Sequence, residues 1–94
     1  MDWDFDDEQF DVNIDPEEPV FPLNIVCKLL ELNYWTLHDI INEGLLRPQK
    51  KGKSKLLSRR DVRRLNIIKY LMVDEGVNIK GIKIILEIRE QQEE

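Results

Sequence analysis

With 94 residues, 41% of them hydrophobic, the chain has material for one small domain with a thin core and not for two. No apolar run approaches the roughly 20 residues of a membrane span, and the N-terminus is acidic where a secretion signal is basic, so a soluble, cytoplasmic chain is expected. The net charge of −5 conceals two opposed segments: residues 1–19 hold nine acids and no base, whereas Arg47 to Lys69 hold ten Lys or Arg against one acid, Asp61.

Residues 1–19 have neither helical nor strand periodicity and their like charges repel, which predicts a disordered acidic arm ending at Pro16 and Pro19. Trp3, Phe5 and Phe10 are interleaved with the acids, a pattern of segments that dock by aromatic anchors within a negative field. Two expectations follow: a solvated tail, or a DNA mimic lying over the basic segment and lowering its affinity for DNA.

The domain proper is expected over residues 20–90, with 91–94 as a polar tail. A first helix is predicted at Ile25 to Glu31, with Asn24 as N-cap and Leu23 as the hydrophobic residue before it. Val26, Leu29 and Leu30 supply its core face, and Cys27 reads as a small core residue. Asn33 caps a second helix from Tyr34 to Glu43, with Leu37, Ile40 and Ile41 inward and Gly44 closing it. Two short helices joined by a tight turn make a helix-turn-helix. Arg47 to Leu57 then reads as a two-stranded wing with Gly52 near its tip. Ser58 and Asp61 form a capping box for a third helix, whose Val62, Leu65, Ile68, Leu71 and Met72 keep a 3.6-residue period until Gly76. Asn78 starts a fourth helix with Ile82, Ile85, Leu86 and Ile88 inward. The fold class is therefore all-α with a small β-hairpin wing, a winged helix-turn-helix of four helices.

In such an arrangement the second helix enters the major groove while the wing reaches phosphates, so cations belong on the wing and on the helix behind it. That distribution makes Tyr34, Trp35, Thr36, His38 and Asn42 on the second helix candidate DNA contacts. Arg47, Lys50, Lys51, Lys53, Lys55, Arg59 and Arg60 join them from the basic segment. For each lysine or arginine alone the alternative is a solvated surface charge, the favoured reading for Lys51, Arg64 and Lys69. For the cluster that alternative is weak, since ten bases in 23 residues repel one another unless a polyanion compensates them.

The succession TLHDIINEGLLRPQ, LLSRRDVRRL and DEGVNIKGIKIILEI resembles the MerR-type winged helix-turn-helix, and its last block is most similar to the heat-shock repressor HspR branch. The resemblance spans about residues 20 to 90 and implies a bacterial transcription regulator that binds an inverted-repeat operator, usually as a dimer. Thr36, Gly44, Pro48, Ser58 and Asp61 match the family pattern, and Lys50 and Lys55 replace its wing arginines, keeping charge but losing the bidentate fork. His38 stands in place of the family's Arg, Ile40 and Ile41 in place of its Tyr-Glu pair, Leu57 in place of the wing Tyr, and Glu31 in place of the turn glycine.

Two function classes stand. The first is a sequence-specific DNA-binding regulator, with an excisionase-like architectural binder as its variant. The second is a protein-interaction module, a chaperone modulator with little DNA binding, favoured by the lost Arg and Tyr contacts and the gained Tyr34 and Trp35. The expected partners are double-stranded DNA, a second copy of the chain, and a chaperone or other protein; no membrane, metal or cofactor is expected. With one His and one Cys in core or surface settings and no phosphate-cradling glycine loop, an enzyme is not expected.

Overall fold

The structure, a computed structural model, describes residues 15–92. Its elements run β1 (Pro19–Pro22), α1 (Leu23–Leu30), α2 (Tyr34–Asn42), β2 (Gln49–Lys51), β3 (Ser54–Ser58), α3 (Arg59–Val73) and α4 (Ile79–Gln92). Four helices thus surround one small antiparallel sheet of order β1-β3-β2.

The strand β1 is absent from the sequence-based expectation, which ended the arm at Pro19 and opened the first helix later. Pro19 is buried and opposes Ser58, Phe21 opposes Leu57 and Pro22 opposes Leu56, with an irregularity between Pro19 and Phe21. The chain passes from this pairing straight into α1, so the helix begins at Leu23 and not Ile25. Pro22 stands at the cap position without a side-chain hydrogen bond, Leu23 is buried in the first turn, and the expected cap Asn24 is exposed within the helix. Proline suits this junction because its missing N–H belongs to a position that has no helical acceptor. Just before the strand, residues 15–18 form a turn: the Glu18 amide donates to Asp15 O at 2.9 Å, and the Arg60 amide donates to Pro16 O at 3.1 Å. The arm's remaining residues, with Trp3, Phe5 and Phe10, lie outside the described ones.

Between α1 and α2 the backbone turns at Glu31, which has φ 53° and ψ 46°, the left-handed conformation expected of a glycine. The Leu32 amide reaches Cys27 O at 2.9 Å and the Glu31 amide reaches Lys28 O at 3.3 Å, closing the helix in a Schellman pattern. Lys69 from α3 donates to Leu30 O and covers another of the terminal carbonyls. Asn33 then caps α2 as predicted, its side-chain oxygen accepting from the Trp35 amide at 2.7 Å. Gly44, at φ 82°, ends α2 with the same pattern, the Leu45 amide bonding Ile40 O at 3.2 Å.

The wing is the β2–β3 hairpin, with Lys50 opposite Lys55, Lys51 opposite Ser54, and Gly52 at φ 62° in the turn. At the base of β3 the capping box forms as expected: Ser58 Oγ accepts from the Asp61 amide at 3.1 Å while Asp61 Oδ2 accepts from the Ser58 amide at 3.0 Å. The core joins Val26 and Leu30 of α1, Leu37 and Ile40 of α2, Leu57 of β3, Leu65 and Ile68 of α3, and Ile82 of α4. The wing is therefore anchored by its own Leu57 in the domain interior. On α4 only Ile82 and Leu86 are buried, one turn apart on a narrow line; Ile85 and Ile88, expected inward, are exposed because they point off that line.

Candidate nucleic-acid interface

The buried residues Leu37 and Ile40 fix which side of α2 faces out: Tyr34, Trp35, His38, Asp39 and Asn42 are exposed, and Thr36 is half-buried. Trp35 projects furthest, 72% exposed, with its ring edge-on to Tyr34 (centroids 6.0 Å apart) and to His38 (6.3 Å). One turn on, Asn42 Nδ2 lies 3.2 Å from His38 Nδ1. With the amide nitrogen as donor, Nδ1 is the acceptor in this contact.

This side of α2 does not stand alone. Tyr34, His38, Ile41 and Asn42 form one wall of an open groove of about 430 Å³, whose facing wall is Lys53, Ser54 and Lys55 of the wing and whose end is Pro22, Leu23 and Asn24. Helix and wing thus border the same concavity, with aromatic and amide groups on one side and two ammonium groups on the other. Lys50 and Lys51 extend the exposed cationic surface along β2. Asn24 belongs to this groove and was missed as a site residue. The signal for it was the pair Val20-Phe21 between Pro19 and Pro22, which as a strand would have carried Asn24 past the cap and into the helix.

The rest of the basic segment goes elsewhere. Arg59 is only 7% exposed, sunk at the first position of α3, and is thereby removed from the surface on which it was expected to meet DNA. Arg60 is exposed but pairs with Glu17, and with Arg47 it lines a second hollow shared with Lys83, Glu87 and Glu90 of α4. Arg64 donates from Nε to Leu45 O at 2.7 Å and pairs with Glu90, tying the loop after α2 to α3 and α4. Lys69, engaged with Leu30 O, and Arg64 are therefore structural cations, not solvated charges. The basic segment divides between a lysine wing beside α2 and arginines of α3 that border hollows with α4.

Among the described residues, two groups have displaced acidities. Burial raises the Cys27 thiol above its ordinary value, consistent with a packed core residue. The Tyr70 hydroxyl, which donates to Glu75 Oε2 at 3.1 Å, is raised by that bond and by the carboxylate's charge. Among the described residues no group of three or more His, Cys, Asp or Glu could hold a metal ion, and no helix is long and apolar enough to cross a membrane.

The sequence matches the family described as MerR HTH family regulatory protein over residues 21–88. It is 33% identical over 76 residues to the heat shock protein HspR of Streptomyces coelicolor, covering 80% of this chain and 50% of that protein. It is also 38% identical over 77 residues to the HTH-type transcriptional regulator GlnR of Bacillus anthracis and of Bacillus cereus, covering 81% of this chain and 59% of each. The chain spans between half and three-fifths of the length of these curated relatives. The matched stretch contains both helices of the helix-turn-helix, the wing and most of α4, and the chain belongs to the MerR helix-turn-helix family.

Proposed function

We propose that this protein is a transcription regulator of the bacterial cytoplasm that binds double-stranded DNA, with α2 in the major groove and the wing lysines on the phosphate backbone. The observation that carries this reading is the groove in which Tyr34, His38 and Asn42 face Lys53 and Lys55. Side chains that can meet base edges stand beside side chains that can meet phosphates, separated by one concavity. The relatives support the same role, since GlnR is named a transcriptional regulator. Binding as a dimer would set two α2 helices on half-sites about 34–36 Å apart.

The four exposed wing lysines set the electrostatic scale. If Lys50, Lys51, Lys53 and Lys55 each neutralise one phosphate, log affinity should fall with log salt at a slope of about −3.6 per protomer. Anisotropy titrations of a fluorescent duplex at several salt concentrations measure it. Lys53→Glu with Lys55→Glu should weaken binding and lower the magnitude of the slope by about 2 per protomer. Loss of affinity with an unchanged slope would refute the wing's role, and absence of binding at low salt would refute the whole reading.

A second reading draws on Trp35, which is 72% exposed although indoles are highly buried on average. Together with Tyr34 it makes an aromatic platform of the sort that anchors protein partners, including a chaperone. That reading requires the Lys53→Glu, Lys55→Glu protein to keep its function while Trp35→Ala abolishes it.

A further inference from the structure

The arginine surface of α3 and α4 is not needed by the groove described above, yet it has the makings of an interaction surface. It begins where the described chain begins. Asp15, Pro16 and Glu17 border a hollow with Arg60 and Arg63, the Arg60 amide donates to Pro16 O at 3.1 Å, and the Arg60 side chain pairs with Glu17. Arg60 and Arg63 are also walls of the adjoining groove, about 460 Å³, that runs between α3 and α4 past Ile67 to Leu86 and Arg89. Ile67 is partly exposed there, an apolar spot among the guanidinium groups of Arg60, Arg63, Arg64 and Arg89 and the Glu90 carboxylate that pairs with Arg64.

We propose that residues 1–14 of the same chain occupy this α3–α4 groove, with an aromatic side chain on Ile67 and carboxylates against Arg63 and Arg89. The segment holds six acids, no Lys or Arg, and the aromatics Trp3, Phe5 and Phe10. A guanidinium accepts an aromatic ring on its face and a carboxylate at its edge, whereas a lysine ammonium is a hydrated point charge, so this composition suits arginines better than the wing. Fourteen residues can extend up to about 50 Å, so reach alone permits either surface; position decides. The segment leaves the domain beside Arg60 and Arg63, and the effective concentration of a tethered ligand is greatest near its anchor. The hollow at residues 15–17 shares two arginines with the α3–α4 groove and none of its walls with the groove beside the wing. Docked in this way, the arm sets further carboxylates among these arginines and leaves the wing open, the reverse of a DNA mimic lying over the wing.

The test needs no DNA, so its outcome is independent of the DNA reading. In the full chain carrying Trp35→Phe, Trp3 is the sole indole. Its fluorescence should be better shielded from acrylamide than in a free peptide of residues 1–14. That shielding should be lost with Arg63→Glu plus Arg89→Glu and at 1 M NaCl, where the Debye length is about 3 Å, and kept with Lys53→Glu plus Lys55→Glu. A Trp3 as open as in the peptide overturns the proposal, as does shielding lost through the wing variant instead. Shielding that rises with protein concentration overturns it too, assigning the groove to the arm of a second copy. Should the arginine variant lose its helical circular dichroism, Trp3→Ala with Phe5→Ala and Phe10→Ala in the full chain gives the same decision. The Ile67 methyl resonances should move while those of Ile41, beside the wing, stay; unmoved Ile67 resonances refute the docking.

Discussion

Glu31 offers a substitution whose sign runs against ordinary expectation. A non-glycine residue in the left-handed region, as here at φ 53°, brings Cβ against the following carbonyl at a cost of about 1–2 kcal/mol. Glycine escapes that cost but gives up about 0.4–1 kcal/mol through the greater freedom of its unfolded chain. The difference leaves Glu31→Gly more stable by about 0.5–1 kcal/mol, or roughly 3–6 °C in melting temperature for a domain of this size. Charge has to be separated from conformation, because the carboxylate sits at the C-terminal end of α1, where the helix dipole disfavours it. The reference is therefore Glu31→Gln, which removes the charge and keeps Cβ. Urea unfolding followed by circular dichroism should give a higher midpoint for the glycine variant than for the glutamine variant, with the same denaturant dependence. A glycine variant at or below the glutamine one would mean that the Schellman closure of α1 is not held in a costly conformation, and the reasoning would fail.

Leu57 is fully buried at the root of the wing, and Leu57→Ala should cost about 2–5 kcal/mol in urea unfolding; a loss under about 1 kcal/mol would show that the sheet is not part of the core. Trp35→Ala should leave stability within about 0.5 kcal/mol yet weaken duplex binding by about 1 kcal/mol, roughly fivefold; unchanged binding in anisotropy titrations would take α2's leading aromatic out of the interface. Cys27 should react with iodoacetamide only as fast as the domain opens, because burial favours its neutral thiol. Since its folded value is raised, the stability it contributes is full below the ordinary thiol value of about 8.5 and declines as pH rises through the folded one; rapid labelling of native protein at pH 8 would contradict the burial.

The elements with their own local chemistry were legible in the sequence. Asn33 before an apolar-periodic run, Ser58 paired with Asp61, and Gly44 after α2 each specify a boundary through bonds made within a few residues, and those boundaries hold, whereas α3 ends at Val73, three residues before Gly76. Strand β1 was not legible, because two of its four residues are prolines and its partner β3 lies over thirty positions away. Missing it displaced the start of α1 and hid Asn24's place in the groove. The cation cluster was legible as composition and not as geometry. Four lysines stay exposed on one hairpin, whereas Arg59, Arg60 and Arg64 lie on a helix whose turn sends one inward and others toward α4. Side-chain direction on α3 depends on where α4 docks, which no local pattern encodes.

The order β1-β3-β2 leaves the sheet with two unpaired borders, and an open strand border is a template on which further chains can stack. One border is β1, where two of the four residues lack the N–H that an incoming strand would need. The other is β2, a mere three residues long and carrying Lys50 and Lys51, whose like charges would meet across any repeat of the hairpin. The like charges of Lys50 and Lys51 thus disfavour pairing of β2 with the same strand of a neighbouring molecule, whatever the wing binds. Neutralising β2 would remove that like-charge barrier and favour edge-to-edge association.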